Sequence, residues 1–241
     1  MDKNPRTHYR NETGVWSFLG AILFLGFLQV AQADVDAGRE AYKSQDYELA
    51  LKEFMPLAEQ GDENAQFYMG LMYANGYGLP KDPEEADKWF EKFSEHLDVS
   101  AKFNLGIMYY QGKSVPKNVE KAIAWFKKAA AEGDAEAQFN LGFIYDNGYG
   151  VPQDREEALK WYRDAANQGI VEAQNNLGVM YSEGQGIAKD YVQAYFWFNV
   201  AAKQGDKNAE KIRDTLAKDM NTSQMAEAIK LTHEWQLASG H

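Results

Sequence analysis

The chain has no cysteine. Disulfides, thiolate metal sites, lipid attachment through a cysteine and thiol nucleophiles are all excluded, so stability has to come from burial alone. Histidine is scarce, with four in 241 residues. His8, His96, His233 and His241 stand apart with no His-x-x-x-His spacing, and His96 near Asp98 and His233 beside Glu234 read as solvated neighbours. No catalytic or metal-ligating set follows from them. Basic residues are outnumbered, 25 Lys and Arg against 36 Asp and Glu. That balance argues against a nucleic-acid ligand, because affinity for phosphates is carried largely by Lys and Arg.

Charge of either sign is missing from Thr13 to Ala33. Lys3, Arg6 and Arg10 precede this stretch, Phe18 to Leu28 form a dense apolar block within it, and Ala31-Gln32-Ala33 closes it with a small-x-small pattern before Asp34-Val35-Asp36. The expectation is a cleaved secretory signal peptide over residues 1–33. The competing expectation is an uncleaved anchor, since roughly 20 apolar residues suffice to span a bilayer as a helix. Residues 34–241 alone carry 22 basic and 34 acidic side chains, which suits an acidic protein that is periplasmic or secreted and makes no stable membrane insertion after cleavage. With 45% hydrophobic and 14% aromatic residues, the chain can still build a continuous core.

What is present in abundance is period. Trp89, Trp125, Trp161 and Trp197 follow one another at steps of 36 residues. Gly70, Gly106, Gly142 and Gly178 keep that step, as do Tyr73, Tyr109, Tyr145 and Tyr181, and Ala86, Ala122, Ala158 and Ala194. A period between about 20 and 50 residues marks a solenoid, in which each unit hides its apolar face by stacking on its neighbours. The expected fold is therefore all-α, a solenoid of helix-turn-helix repeats.

Within one repeat, Ala137, Leu141, Gly142 and Tyr145 fall on one face of a helix, called A, that stops at Asn147-Gly148. After Val151-Pro152, Asp154 opens helix B, with Glu157 three residues on as a capping box; Asp82 with Glu85 and Asp190 with Gln193 repeat the pattern, while Asn118 is followed by Lys121. Pro83 sits at a first helical position, where its missing N–H costs nothing. Helix B carries Ala158, Trp161, Tyr162, Ala165 and Ala166 on one stripe, with Gly142 and Ala158 small where helices approach and Trp161 expected to fill the space between repeats. The chain divides into residues 1–33 as leader, 34–64 as an N-terminal capping helix pair, repeats at 65–100, 101–136, 137–172 and 173–208, and C-terminal capping helices over 209–241. In the last segment, Asn221 or Thr222 is the expected cap, with Met225, Ile229 and Trp235 on the buried side.

The pattern Ala137, Leu141, Gly142, Tyr145, Gly148, Gly150, Val151, Asp154, Ala158, Trp161, Tyr162, Ala165, Ala166 and Gly169 resembles the Sel-one-like repeat, a relative of the tetratricopeptide repeat with a longer loop between A and B. The resemblance spans residues 37–205, and the tail from Ile212 to Trp235 is similar to the helices that close bacterial members. It implies a right-handed α/α superhelix that serves as a protein-binding scaffold without a cofactor, often exported by bacteria. One exported branch is credited with β-lactamase or penicillin-binding activity, but it carries a disulfide in each repeat, which this chain cannot form. An enzyme acting on β-lactam or cell-wall substrates, and a scaffold handling polysaccharide or serving secretion, are the alternatives to protein binding.

Residues identical in every repeat serve the repeat, so partner specificity is expected where repeats differ. In tetratricopeptide-like arrays helix A lines the inner groove. Carried over, that geometry gives a ladder of Phe67, Phe103, Phe139 and Asn175, flanked by Leu71, Ile107, Phe143 and Val179. The polar rungs are Asn75, Gln111, Asn147 and Glu183, with Ala74, Tyr110, Asp146 and Ser182 beside them. Phe67, Leu71, Asn75, Phe103, Ile107, Tyr110, Gln111, Phe139, Phe143 and Asn147 are the candidate contacts for a protein or peptide ligand. Recurrence of phenylalanine at one position has a competing explanation, packing within the repeat. Phe93-Ser94-Glu95-His96-Leu97 replaces the usual Ala-Ala-x-x-Gly, and Ser114 replaces a loop glycine; either a contact patch at Phe93, His96 and Leu97 or tolerated drift follows. The Gly-x-Gly loops follow helices rather than strands, so they are helix stops and not phosphate cradles. Glu84-Glu85 and Glu156-Glu157 sit in first helical turns, where they favour the helix dipole.

Overall fold

The computed structural model describes residues 33–95 and 98–239. The expected leader, apart from Ala33, lies outside these residues, as do His96, Leu97 and His241. All regular structure among the described residues is helical. These residues fall into two compact units, one ending at Lys92 and the other beginning at Phe93. The first holds α1 (Val35–Lys43), α2 (Tyr47–Glu59), α3 (Glu63–Asn75) and most of α4 (Pro83–Glu95). The second holds the A/B pairs α5 (Val99–Gln111) with α6 (Val119–Ala131), α7 (Ala135–Asn147) with α8 (Arg155–Asn167), and α9 (Val171–Glu183) with α10 (Tyr191–Lys203). It closes with α11 (Lys207–Leu216), a 3-10 turn (Ala217–Asp219) and α12 (Thr222–Ser239). In this unit each helix from α5 to α10 packs on the next in sequence, and α12 returns onto α10. No helix among the described residues is long and apolar enough to cross a membrane.

Each hairpin starts and stops for local reasons. The Asp154 carboxylate accepts from the Glu157 amide at 2.9 Å, and Asn118 does the same for Lys121 at 2.9 Å, so the B helices begin where the capping residues predict. The A helices are capped too, a signal not singled out in the sequence: Asp134 accepts from Ala137 N at 2.7 Å and Asp62 from Ala65 N at 2.8 Å. Helix α9 is the exception, with Ile170 at the cap position and no side-chain bond.

The expected capping boxes are only half formed. Glu157 turns forward to accept from the Trp161 indole at 2.9 Å and from Lys160 at 3.1 Å, and Glu85 pairs with Lys88 at 2.7 Å. The reason is that the amide the box needs is already taken. Asp154 N donates to the Tyr145 carbonyl at 2.9 Å, and Asp82, Asn118 and Asp190 donate to Tyr73, Tyr109 and Tyr181 in the same way. These four backbone bonds close the A-to-B loops. A full box forms instead at α12, where Asn221 and Gln224 exchange two bonds of 3.0 Å.

The close contact within each hairpin belongs to the residue after the periodic tryptophan. Phe90, Phe126, Tyr162 and Phe198 are completely or almost completely buried; Trp89, Trp125 and Trp197 are buried as well, while Trp161 is half-buried. Each of the four rings that follow a tryptophan lies against the glycine of its own A helix. A Cβ added at Gly70, Gly106, Gly142 or Gly178 would come within 2.5–2.7 Å of the ring of Phe90, Phe126, Tyr162 or Phe198. In α1 and α2, Gly38 and Phe54 make the same pair at 2.6 Å, so the N-terminal hairpin is a repeat with a shortened loop.

Tyr162 is the one tyrosine among these rings. Its hydroxyl is buried without a hydrogen bond of normal geometry, Asn176 being a weak neighbour at best, and burial chiefly, then Asp146, raises its pKa above the ordinary range. An unmet buried hydroxyl costs about 1–3 kcal/mol. Tyr162→Phe, which copies the other repeats, is therefore expected to raise the denaturant midpoint by roughly 1 kcal/mol of stability; a loss of stability in urea titration would show that the hydroxyl has a partner.

Hairpins in the second unit are tied by an amide ladder that periodicity did not flag. Gln174 Nε2 donates to Ala166 O of the preceding hairpin at 3.1 Å, and Gln204 Nε2 donates to Gln174 Oε1 at 2.8 Å. Gln138 repeats this with Ala130 O at 3.4 Å and Gln168 at 2.7 Å. One repeat earlier the pair is Lys102 and Glu132, an ion pair at 2.5 Å. Both partners change together, which keeps a donor facing an acceptor.

The C-terminal helix packs Trp235 on the core as expected but turns Ile229 outward. Ala228 and Thr232 are buried and Leu231 and Trp235 pack on the core, while Ile229 is 52% exposed. Thr232 accepts from Asn199 at 3.2 Å and donates to Ala228 O at 2.9 Å, which lets a polar residue occupy the inner face. Met225 and Ile229 instead line an open hollow of about 440 Å³ with Ala217 and Met220.

Candidate functional site

The exposed face of the A helices can be followed residue by residue within each unit. In the first, Phe67 is half-buried with its ring 5.9 Å from that of Phe90, Leu71 is buried, and the Asn75 amide donates to Leu71 O at 2.9 Å. Tyr77, in the loop after α3, stacks on Tyr47 at 4.4 Å and lies 6.0 Å from Tyr42. Burial first, then the neighbouring tyrosines, pushes Tyr42 up to about 12. Here the aromatic residues are drawn into packing, and little of them is left for a partner.

In the second unit the phenylalanine ladder has the same inward role. The Phe103 ring is 5.8 Å from Phe126, and Phe139 is 6.0 Å from Tyr162. Each is half-buried, which is why phenylalanine recurs there: it covers the buried ring of its own hairpin. Asn175, the polar departure from that ladder, donates to the Asp206 cap of α11 at 2.6 Å. The Asp206 carboxyl is held below the usual carboxylate range by the Ala209 amide first and Asn175 second. Ile107 is half-buried, while Gln111 and Asn147 are exposed, the Asn147 amide donating to Phe143 O at 2.9 Å.

The structure brings together a smaller group. Phe143 is 37% exposed and Tyr149 46% exposed, and they are two of the few large hydrophobic side chains that reach solvent. Their ring centroids are 5.5 Å apart at an interplanar angle of 49°, and Phe139 stands 6.4 Å behind Phe143. Tyr110, at the end of α5, is close enough to Tyr149 that, after burial, this neighbour raises its pKa. Lys117 Nζ lies 5.4 Å over the Tyr110 ring.

Tyr149 and Lys117 were not among the sequence candidates, although a signal existed. Tyr149 occupies the position of Tyr77, Lys113 and Gln185 in the other repeats, and Tyr110 that of Ala74, Asp146 and Ser182. Both positions vary, and that of Tyr149 is in the loop rather than on helix A. Among the described residues no cluster of three or more His, Asp or Glu could hold a metal ion. The first-turn carboxylates Glu85 and Glu157 are engaged by Lys88, Lys160 and Trp161, as structural partners.

A model of the Sel1 repeat matches residues 64–96, 99–134, 135–170 and 171–206, the last three beginning on the first residue of an A helix. Among solved structures, the chain is 36% identical to a protective antigen of uropathogenic Escherichia coli strains with an SLR fold, over 78% of this chain, at a TM-score of 0.56. It spans 40% of that antigen's length. It is 32% identical to a Sel1 repeat protein from Oxalobacter formigenes, over 83% of this chain and 82% of that one, at a TM-score of 0.50. No curated protein matches it.

Proposed function

We propose, from the premise that the chain belongs to the Sel1 repeat family, that it is an exported, non-enzymatic scaffold holding a protein or peptide on the exposed face of its A helices. The observation that carries this reading is the contact between Phe143 and Tyr149, two large rings left in water and touching each other. Exposed aromatic pairs of this kind are what interfaces bury at their centres. The repeats themselves support a binding role, since stacked hairpins present one A-helix face after another along a surface. Export rests on the uncharged apolar stretch before Asp34 and the acidic balance after it; protein recovered from outside the cytoplasm should begin near Asp34, and a different start would remove the claim.

The binding claim is tested by capture from an envelope extract on the immobilised chain and on a variant with Tyr110, Phe143 and Tyr149 changed to alanine. A defined protein should be retained by the first and lost from the second, with helicity by circular dichroism unchanged. Identical captures by both would place the partner elsewhere. Phe103 is a poor choice for this test because its ring packs on Phe126, so truncation would disturb the core.

A further inference from the structure

Charge is distributed unevenly along the repeats. Residues 101–136 hold six lysines and four carboxylates, in a chain whose formal net charge is −11. The flanking segments run the other way, with three basic and seven acidic residues over 65–100 and three basic and six acidic over 137–172. One of the lysines, Lys102, is neutralised by Glu132 at 2.5 Å. Lys117 faces the ring of Tyr110 instead of a carboxylate, and Lys113 lies exposed in the same loop. Neither forms an ion pair among the described residues. Asp146, on the same helix as Phe143, is engaged by Arg155 at 3.5 Å. Lys117 thus sets positive charge with no carboxylate partner over Tyr110, itself a neighbour of Tyr149.

The rings do not form a shelf. Phe143 meets Tyr149 at 49° and Phe139 at 30°, so they make a notch that takes one apolar side chain better than the flat face of a sugar. We propose that the notch formed by Phe143 and Tyr149, with Tyr110, Lys113 and Lys117 at its border, receives an acidic peptide segment whose aliphatic or aromatic side chain packs onto the outer faces of the two touching rings while its carboxylates meet the two lysines. This rests on the docking role proposed above and adds the chemistry of the partner. The net negative charge of the chain would repel acidic segments elsewhere, so the same electrostatics that attract the ligand here fix where it lands.

Panning a displayed library of short random peptides against the purified chain tests this. The enriched peptides should carry Asp or Glu next to an aliphatic or aromatic residue. Synthesised and labelled, they should bind K113E/K117E about tenfold more weakly and lose affinity as salt rises well above physiological ionic strength. F143A/Y149A should also lose them, circular dichroism being unchanged in both variants. If the enriched peptides are neutral or basic, or if charge reversal leaves affinity untouched while F143A/Y149A removes it, the acidic assignment is wrong and the docking surface stands. If binding survives both variants, or nothing is enriched, both are wrong. Acidic polymers without apolar groups binding as tightly as the selected peptides would overturn the notch.

Discussion

Phe126→Ala is expected to destabilise the unit that begins at Phe93 by about 3–5 kcal/mol, the range for deleting a buried aromatic ring. The ring is wholly buried and lies against Gly106, where a Cβ would sit 2.5 Å from its Cδ1 atom. Nothing else can fill that space, because the glycine has no side chain and both backbones are held by their own helical bonds. In a stacked array each repeat leans on its neighbours, so the loss should appear as one cooperative shift of the whole unit in thermal and denaturant unfolding. The converse change, Gly106→Ala, overfills the same contact and should cost about 1–3 kcal/mol. Adding Phe126→Leu to Gly106→Ala should recover part of that cost, since a smaller side chain makes room. A cost below about 1 kcal/mol for Phe126→Ala, or melting confined to α5 and α6, would mean that the ring is not what joins the hairpin.

Gly150→Ala should come next in size, at about 2–4 kcal/mol, because two independent penalties add. Its φ is +73°, in the left-handed region, and an added Cβ would fall 2.7 Å from Val119 Cβ at the start of the preceding B helix. The two penalties can be separated by measurement. Val119→Ala in the same chain should relieve the steric part and leave the backbone part, about 1–2 kcal/mol, in place. Ser114 provides the natural comparison, since it holds the equivalent loop position at φ +68° without being glycine. Ser114→Gly is expected to stabilise by roughly 0.5–1 kcal/mol as the left-handed strain is removed. Full rescue by Val119→Ala would show that the backbone conformation carries no cost.

Much of this architecture is legible in the order of residues. Four tryptophans, glycines and tyrosines at one interval define the hairpin, and Asp154 and Gly148 mark where its helices begin and stop. Periodicity was less informative about which of two adjacent repeated positions faces inward. Trp161 and Tyr162 recur with the same step, but successive residues on a helix point about 100° apart, and the indole is the more conspicuous of the two. In three repeats both positions are buried, as Trp89 and Phe90, Trp125 and Phe126, and Trp197 and Phe198 are; only in the third does Tyr162 go fully inside while Trp161 stays half-buried. On α12 there is no repeat to read. A pattern of Met225, Ile229 and Trp235 looked amphipathic, yet Thr232 went inside because Asn199 offered it a hydrogen bond.

The candidate site was less legible for a related reason. Phe67, Phe103 and Phe139 stand out because they recur, and recurrence turned out to reflect packing on Phe90, Phe126 and Tyr162. Tyr149 and Lys117 lie in the loops after helix A rather than on it, and the loop conformation sets Tyr149 against Phe143 and Lys117 over Tyr110.

The residue order alone settled that the chain is an all-helical array of one repeated hairpin, since helix caps, helix stops and the apolar period act within a few residues of one another. Which faces turn inward, which amides pair between hairpins and which rings stay in water were decided only when the hairpins stacked. Those contacts join residues about one repeat apart, and their energies depend on shape and partner rather than on any local pattern.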